Sequence, residues 1–239
     1  MICQRPWIVP SLIVAATALL SCGSSGGKKM PQYNPAIPTR WAATVTNPYF
    51  PLTPGTVWEY RGDTEDGTET NRVEVLTQTR KINGVTATVL LDQVFLDGAL
   101  IEETNDWYAQ DESGNVWYLG EDSKAVRDGH VIGSEGSWEW ALDEALPGII
   151  MWADPTRHRN EEYRQEYYQG EAEDWGKVAA IEQTVDVPAG HYVHCIQTDD
   201  WSGIEAGSLE KKYYASGVGH VLEIDADGNR IELVRVTLP

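Results

Sequence analysis

The side chains best suited to acid–base work or ligand binding gather between positions 134 and 175. Glu166 stands two residues after Arg164, among Tyr163, Tyr167 and Tyr168. A carboxyl beside a guanidinium and phenols could act as a general acid or base if a pocket displaced its pKa. Arg164 and Glu166 are therefore the candidate catalytic pair, and the competing reading is an ordinary ion pair on a sheet. The same stretch is rich in rings with polar tips. Trp138, Trp140, Trp152, Tyr163 and Tyr167 are the candidate ligand-binding side chains, because such rings suit both sugar-stacking sites and the mouths of apolar cavities. Ten tryptophans and eleven tyrosines stand against two phenylalanines, so the rings either serve binding or replace phenylalanine in a β core.

Other constellations carry less. His191, His194 and Cys195 invite zinc, but on a strand His191 and Cys195 face one side and His194 the other, and no further ligand cluster converges on them. Asp225-Ala226-Asp227-Gly228-Asn229 opens like a calcium loop, yet Arg230 and Val236 occupy the positions that need glycine and a bidentate glutamate. The serine-bearing stretch Gly133-Ser134-Glu135-Gly136-Ser137 lacks the spacing of a nucleophile elbow. Neither metal nor cofactor is expected.

The N-terminus addresses the chain. Arg5 precedes an apolar run, Trp7 to Leu20, too short to span a bilayer. The run ends in Leu19-Leu20-Ser21-Cys22, which resembles a bacterial lipobox, with Gly23 to Gly27 as a flexible linker behind it. Residues 1–21 are read as a signal peptide, Cys22 as the lipid attachment site, and 22–46 as a lipidated, flexible tether. A single acyl chain anchors only reversibly, so a multiply acylated Cys22 suits stable attachment. The partner this implies is the membrane, through the lipid on Cys22. The place is the bacterial cell envelope; if the cell is Gram-negative, Gly23 fits the outer membrane, facing the periplasm or cell surface. A formal charge of -19 repels phosphate backbones, so no nucleic-acid partner is expected.

These groups sit on a chain whose local signals are those of strands. Gly62-Asp63, Asp66-Gly67, Asn83-Gly84, Asp97-Gly98, Ser113-Gly114-Asn115, Asp128-Gly129 and Asp227-Gly228-Asn229 punctuate alternating runs such as Thr56 to Arg61 and Arg72 to Thr77. Asn-Gly and Asp-Gly favour the turns of β-hairpins. The expectation is a mainly all-β domain over 47–239, an antiparallel meander of about ten strands forming a curved sheet or half-barrel. Two regions interrupt it. Residues 134–156 read as a long aromatic loop with at most one helical turn. Residues 160–174 fit a strand or a helix, and the strand is preferred because Val178 to Val187 can then be its hairpin partner. With Cys22 acylated and Cys3 removed, Cys195 has no disulfide partner and the fold must rest on its core.

Asn47 to Trp58, Val187-Pro188-Ala189-Gly190 and Tyr213 to Val221 resemble uncharacterised bacterial lipoproteins with a curved antiparallel sheet, loosely similar to the LolA/LolB-like half-barrels. That resemblance implies a concave face that carries acyl chains, and it transfers no catalytic residue. The leading expectation is a non-catalytic module binding a hydrophobic or amphipathic small molecule. The alternatives are an envelope enzyme using Glu166, Arg164 and nearby tyrosines, or a structural lipoprotein whose aromatics form only core and interface.

Overall fold

A computed structural model describes residues 33–142 and 144–239. The signal peptide, Cys22 and the glycine linker lie outside the described residues. Fifteen strands follow in order: β1 (Val57–Thr64), β2 (Gly67–Ile82), β3 (Val85–Leu96), β4 (Ala99–Gln110), β5 (Val116–Arg127), β6 (His130–Gly133), β7 (Trp138–Glu139), β8 (Leu146–Met151), β9 (Glu162–Arg164), β10 (Glu166–Tyr167), β11 (Asp174–Val187), β12 (Gly190–Ser202), β13 (Glu210–Ala215), β14 (Gly219–Ile224) and β15 (Arg230–Thr237). One 3-10 turn, Pro155–His158, is the helical element among the described residues. The all-β reading holds, with more strands than the ten or so expected.

All pairings between these strands are antiparallel, in the order β10-β8-β5-β4-β3-β2-β1-β15-β14-β13-β12-β11-β9, and β6 and β7 add to β5. Most neighbours in the sheet are neighbours in sequence, as in a meander. The exceptions are β10 on β8, β7 and β8 on β5, β9 on β11, and β1 on β15, the last of which ties the two ends of the domain together. The turns follow the chemistry read from sequence. Asn83 and Gly84 have φ of 44° and 85°, and Asp97 and Gly98 have 48° and 82°, the paired positive values of a type I′ hairpin. Gly62-Asp63 departs from expectation: it lies inside β1. A Cβ on Gly62 would stand 2.3 Å from Ile231 Cδ1 and 2.6 Å from the Arg230 carbonyl oxygen, so the glycine permits close packing of β15.

The segment 134–156 is also corrected. It contains β7 and β8 rather than one long loop, because Leu146 to Met151 is an apolar run that pairs with β5 despite its Pro147-Gly148. Residues 160–174 are extended, as preferred, but broken. β9 pairs with β11 at one end of the sheet, β10 pairs with β8 at the other, and Gln165 alone joins them. The chain crosses directly over Gly148, where a Cβ would lie 2.3 Å from the Arg164 carbonyl oxygen. Through this crossing the sheet curls past a half-barrel into a nearly closed barrel.

Alternation sorts the core into two layers. In β5, Val116 and Tyr118 join Tyr60, Val73, Leu90 and Leu233, whereas Trp117 and Leu119 join Trp107, Val89 and Ile149. Burial of Val116 to Glu121 on both faces makes β5 the wall between them. Residues 33–46, read from sequence as tether, lie along the barrel as a strap: Ala42 N donates to Gln110 O (2.8 Å), and Thr46 N and Asn47 N both donate to Gln110 Oε1.

Candidate functional site

Where the two ends of the sheet meet, an open cleft of about 780 Å³ runs between the strap and the seam. Tyr33, Trp117, Trp152, Tyr163, Arg164 and Trp175 form much of its lining. Each is held by a specific neighbour. Trp117 donates its indole N–H to Asp111 Oδ2 (3.0 Å), and Asp111 is itself fixed by Ser113 N, Asn115 N and the Asn115 amide. Trp152 stacks on His158 at 3.8 Å and meets the Tyr163 edge at 5.4 Å. Tyr33 donates to the Pro147 carbonyl oxygen (3.0 Å), which clasps the strap to β8.

Arg164 organises the seam. Its guanidinium carbon lies 4.1 Å above the Trp175 ring and 5.0 Å from Tyr167, while Nη2 reaches Glu173 at 3.1 Å. Trp175 runs parallel to Trp201 at 6.3 Å, and Tyr167 meets Tyr33 at 5.7 Å. The result is a ladder of rings crossing from β12 to the strap, with Arg164 inside it and Lys177 5.9 Å from its Trp201 end. Arginine suits this place because its planar, permanently charged group stacks on rings while pairing with a carboxylate.

The structure thus brings Trp152, Tyr163 and Arg164 to the cleft, with Tyr167 behind Arg164. It does not bring the rest. Trp140 leans on Trp41 at 6.3 Å. Trp138 is buried in the barrel, borders a separate opening of about 450 Å³ beside Arg80 and Trp107, and donates to Glu166 Oε2 at 2.5 Å. Glu166 is wholly buried on that inner side, away from Arg164, because the chain changes sheet edge at Gln165.

The concave face, where the half-barrel likeness would put a ligand, is packed with rings. Tyr108 stacks on Tyr118 at 4.9 Å, Phe50 abuts Tyr108 at 5.1 Å, and Trp138 meets Tyr118 at 5.3 Å. The apolar space beside Phe50, Trp58 and Tyr60 amounts to about 30 Å³.

The interior also holds what sequence reasoning missed, a belt of carboxyls. Asp92 in β3, Asp106 in β4, Glu121 in β5, Glu166 in β10, Asp174 in β11, Asp200 in β12 and Glu223 in β14 are all buried. Direct pairing of Asp106 with Glu121, Asp200 with Glu210 and Lys212 with Glu223 puts these side chains on one face. Lys212 Nζ stands 3.0 Å from Glu210, 3.7 Å from Asp200 and 4.0 Å from Glu223. Desolvation raises the pKa of Asp92 to about 8, raises that of Asp200, and lifts Asp106, Glu166, Asp174 and Glu223 well above their usual range. His220 goes the other way, down to about 3, through burial and then Lys212. The available signal was parity: in Glu69-Thr70-Asn71-Arg72-Val73-Glu74-Val75 the alternate positions 69, 71, 73 and 75 are the buried ones, polar and apolar alike.

The earlier metal candidates are occupied locally. His191 Nδ1 faces Asp186 at 2.6 Å, His194 pairs with Glu182, and burial pushes the Cys195 thiol up to about 11. In the calcium-like stretch, Asp225 Oδ1 accepts from Asp227 N and Asn229 N, which makes it a turn.

No protein-family model and no curated protein sequence matches the chain. Among solved structures it is similar to a "putative lipoprotein" from Parabacteroides distasonis, at 10% identity and a TM-score of 0.41, over 79% of this chain and 98% of that one.

Proposed function

We propose that this chain is an envelope-anchored lipoprotein, tethered through a lipid on Cys22, whose domain is a non-catalytic binding module. Its ligand is an amphipathic small molecule held in the seam cleft. The observation that carries this reading is the cleft itself, about 780 Å³ and bordered by Trp152, Tyr163, Trp175 and Arg164. That volume lies in the range of small-molecule sites, and a few polar groups among aromatic walls fit a ligand with both apolar and polar parts. Carriage of an acyl chain inside the barrel, as in the LolA/LolB-like half-barrels, finds less support, since an apolar space of about 30 Å³ suits one water. Ten residues separate Cys22 from Tyr33, so the cleft lies within about 40 Å of the anchor at full extension.

Two measurements test the reading. Palmitate labelling and membrane partitioning should both vanish in Cys22→Ser; retention of both would remove the anchor. Titration of that variant with a fatty acid or a terpenoid should shift tryptophan emission saturably, and Trp152→Ala should weaken binding by about 1 kcal/mol or more. Emission that never saturates, or an unchanged affinity in Trp152→Ala, would remove the cleft.

A further inference from the structure

We propose that the barrel seam is a proton-operated gate: β10 stays docked on β8 while Glu166 and Asp174 keep their protons, and it lets go when they ionise. This goes beyond the binding reading and does not depend on it.

The seam is the weakest closure in the barrel. β10 contributes two residue pairs with β8, Glu166 with Pro147 and Tyr167 with Leu146, and Pro147 has no N–H to give. Behind this short contact sit two acids from opposite ends of the sheet. Glu166 is fully buried; Trp138 donates to one carboxyl oxygen and Oε1 has no hydrogen-bond partner. Asp174, on β11, is equally deep, and its Oδ2 has no hydrogen-bond partner either. The backbone joins them, since Gln165 N donates to Asp174 O at 2.9 Å.

The surroundings decide the sign. Facing Glu166 are Glu121 and Tyr118 of β5, Asp106 of β4 and Trp138 of β7, while Leu146 and Pro147 of β8 bring nothing titratable. Facing Asp174 are Ser202 and Asp200 of β12 and Glu210 and Lys212 of β13. Lys212 is the cation in this set, and Glu210 and Asp200 already hold it. Arg164 sits on the far side with Glu173. Two carboxylates would thus face each other and further acids in a desolvated wall. Burial, with each acid's acidic neighbours, holds both pKa values well above the usual range. Once the seam opens, water returns them to ordinary values. The closed form therefore binds protons more tightly; docking is strongest below the ordinary carboxylate range and fades as pH rises through the raised values. Because Tyr163 and Arg164 line the cleft and Glu166 lines the interior, opening here joins the two spaces.

The test is amide hydrogen exchange on the full chain in detergent micelles, normalised to free-amide rates, at pH 6 and pH 9. Protection over 146–151 and 166–176 should fall roughly tenfold or more on alkalinisation, since each pKa unit of differential affinity is worth a factor of ten. Strands β1 to β4 should lose distinctly less, their alkaline loss being only the general one to which Asp92 contributes. Glu166→Gln with Asp174→Asn should hold the seam flat between the two values. If that double variant does not fold, Glu166→Gln alone should lose at least half of the logarithmic change. Equal protection at both pH values, the same loss in the variants, or a loss spread evenly over all strands would each overturn the gate.

Discussion

Arg164 and Glu166 are two residues apart and meet opposite surroundings. The guanidinium lies between the Trp175 and Tyr167 rings with Glu173 at 3.1 Å, bordering an open cleft. The carboxyl lies inside the barrel, one oxygen on Trp138 and the other without a hydrogen-bond partner, near further acids. Arginine cannot shed its charge, so the seam supplies ring faces and a counter-ion. A carboxyl has another escape: it takes a proton. The outer seam thus keeps a paired charge, whereas in the interior burial favours the protonated form of acids such as Asp106 and Glu166, and Lys212 offsets the charge of those around it. The formal charge of -19 counts every one of these buried acids as ionised.

The contrast is most exposed at Lys212. Lys212→Met removes the cation from Asp200, Glu210 and Glu223, and breaking one partner of a buried set costs about 3–5 kcal/mol. Urea unfolding at pH 7 should show that loss, with a smaller one at pH 5, where the acids can take up protons instead. A loss under about 1 kcal/mol at both would mean that the belt needs no cation. A smaller effect is expected of Asp92, held up to about 8 mainly by burial and then by Glu102. Its folded pKa exceeds the unfolded value, so its stabilising proton is secure below about pH 4 and lost as pH rises through about 8. Asp92→Asn should recover on the order of 2–3 kcal/mol of stability at pH 9 relative to pH 5, well short of the full linkage because water entry softens buried charge. The new amide could donate to Asn71 Oδ1, which now has no hydrogen-bond partner. An identical pH profile in the two proteins would locate the alkaline sensitivity elsewhere.

Sequence made the strands and hairpins legible because they rest on local rules. Asn83-Gly84 and Asp97-Gly98 adopt positive φ whatever packs on them. The seam was not legible, since it depends on two distant edges meeting. Nothing within 160–174 says that Gln165 is where the chain changes partners, so Arg164 and Glu166 looked like neighbours on one face. The aromatic signal was half informative: Trp152 and Tyr163 do border a cleft, but Trp138 was grouped with them by sequence distance although β7 turns it inward. The acid belt was hidden for a different reason. Isolated acids at inward positions look like solvated charges until the pairing register shows them stacked on one face.

On the outer side, Arg164→Lys tests whether the ladder needs a plane or only a charge. A lysine keeps the positive charge and can still reach Glu173, but it cannot lie flat against Trp175 and Tyr167 together. Desolvated cation–π contacts are worth about 1–2 kcal/mol, so stability should drop by roughly that amount, equally at pH 6 and pH 9. A drop that grows with pH would tie Arg164 to the interior acids and dissolve the division between the two regions.

The smallest effect belongs to the strap. Tyr33 contributes one hydrogen bond to the Pro147 carbonyl oxygen and one ring contact with Tyr167. Tyr33→Phe keeps the ring and removes the bond, so its cost is that of a single intramolecular hydrogen bond, about 1 kcal/mol. That cost should fall on the strap and not on the barrel, because residues 41–47 have their own attachments: Trp41 bridges to Asp111, and Gln110 receives Ala42, Thr46 and Asn47. The urea midpoint should therefore stay put, while proteolysis between residues 33 and 40 speeds up about fivefold, the change in open population that 1 kcal/mol allows. The cleft is where the result matters. If the strap is one of its walls, amphiphile affinity should fall along with the faster cleavage. Faster cleavage with unchanged affinity would leave the strap a bystander, and the site would then belong to Trp152, Tyr163 and Arg164 alone.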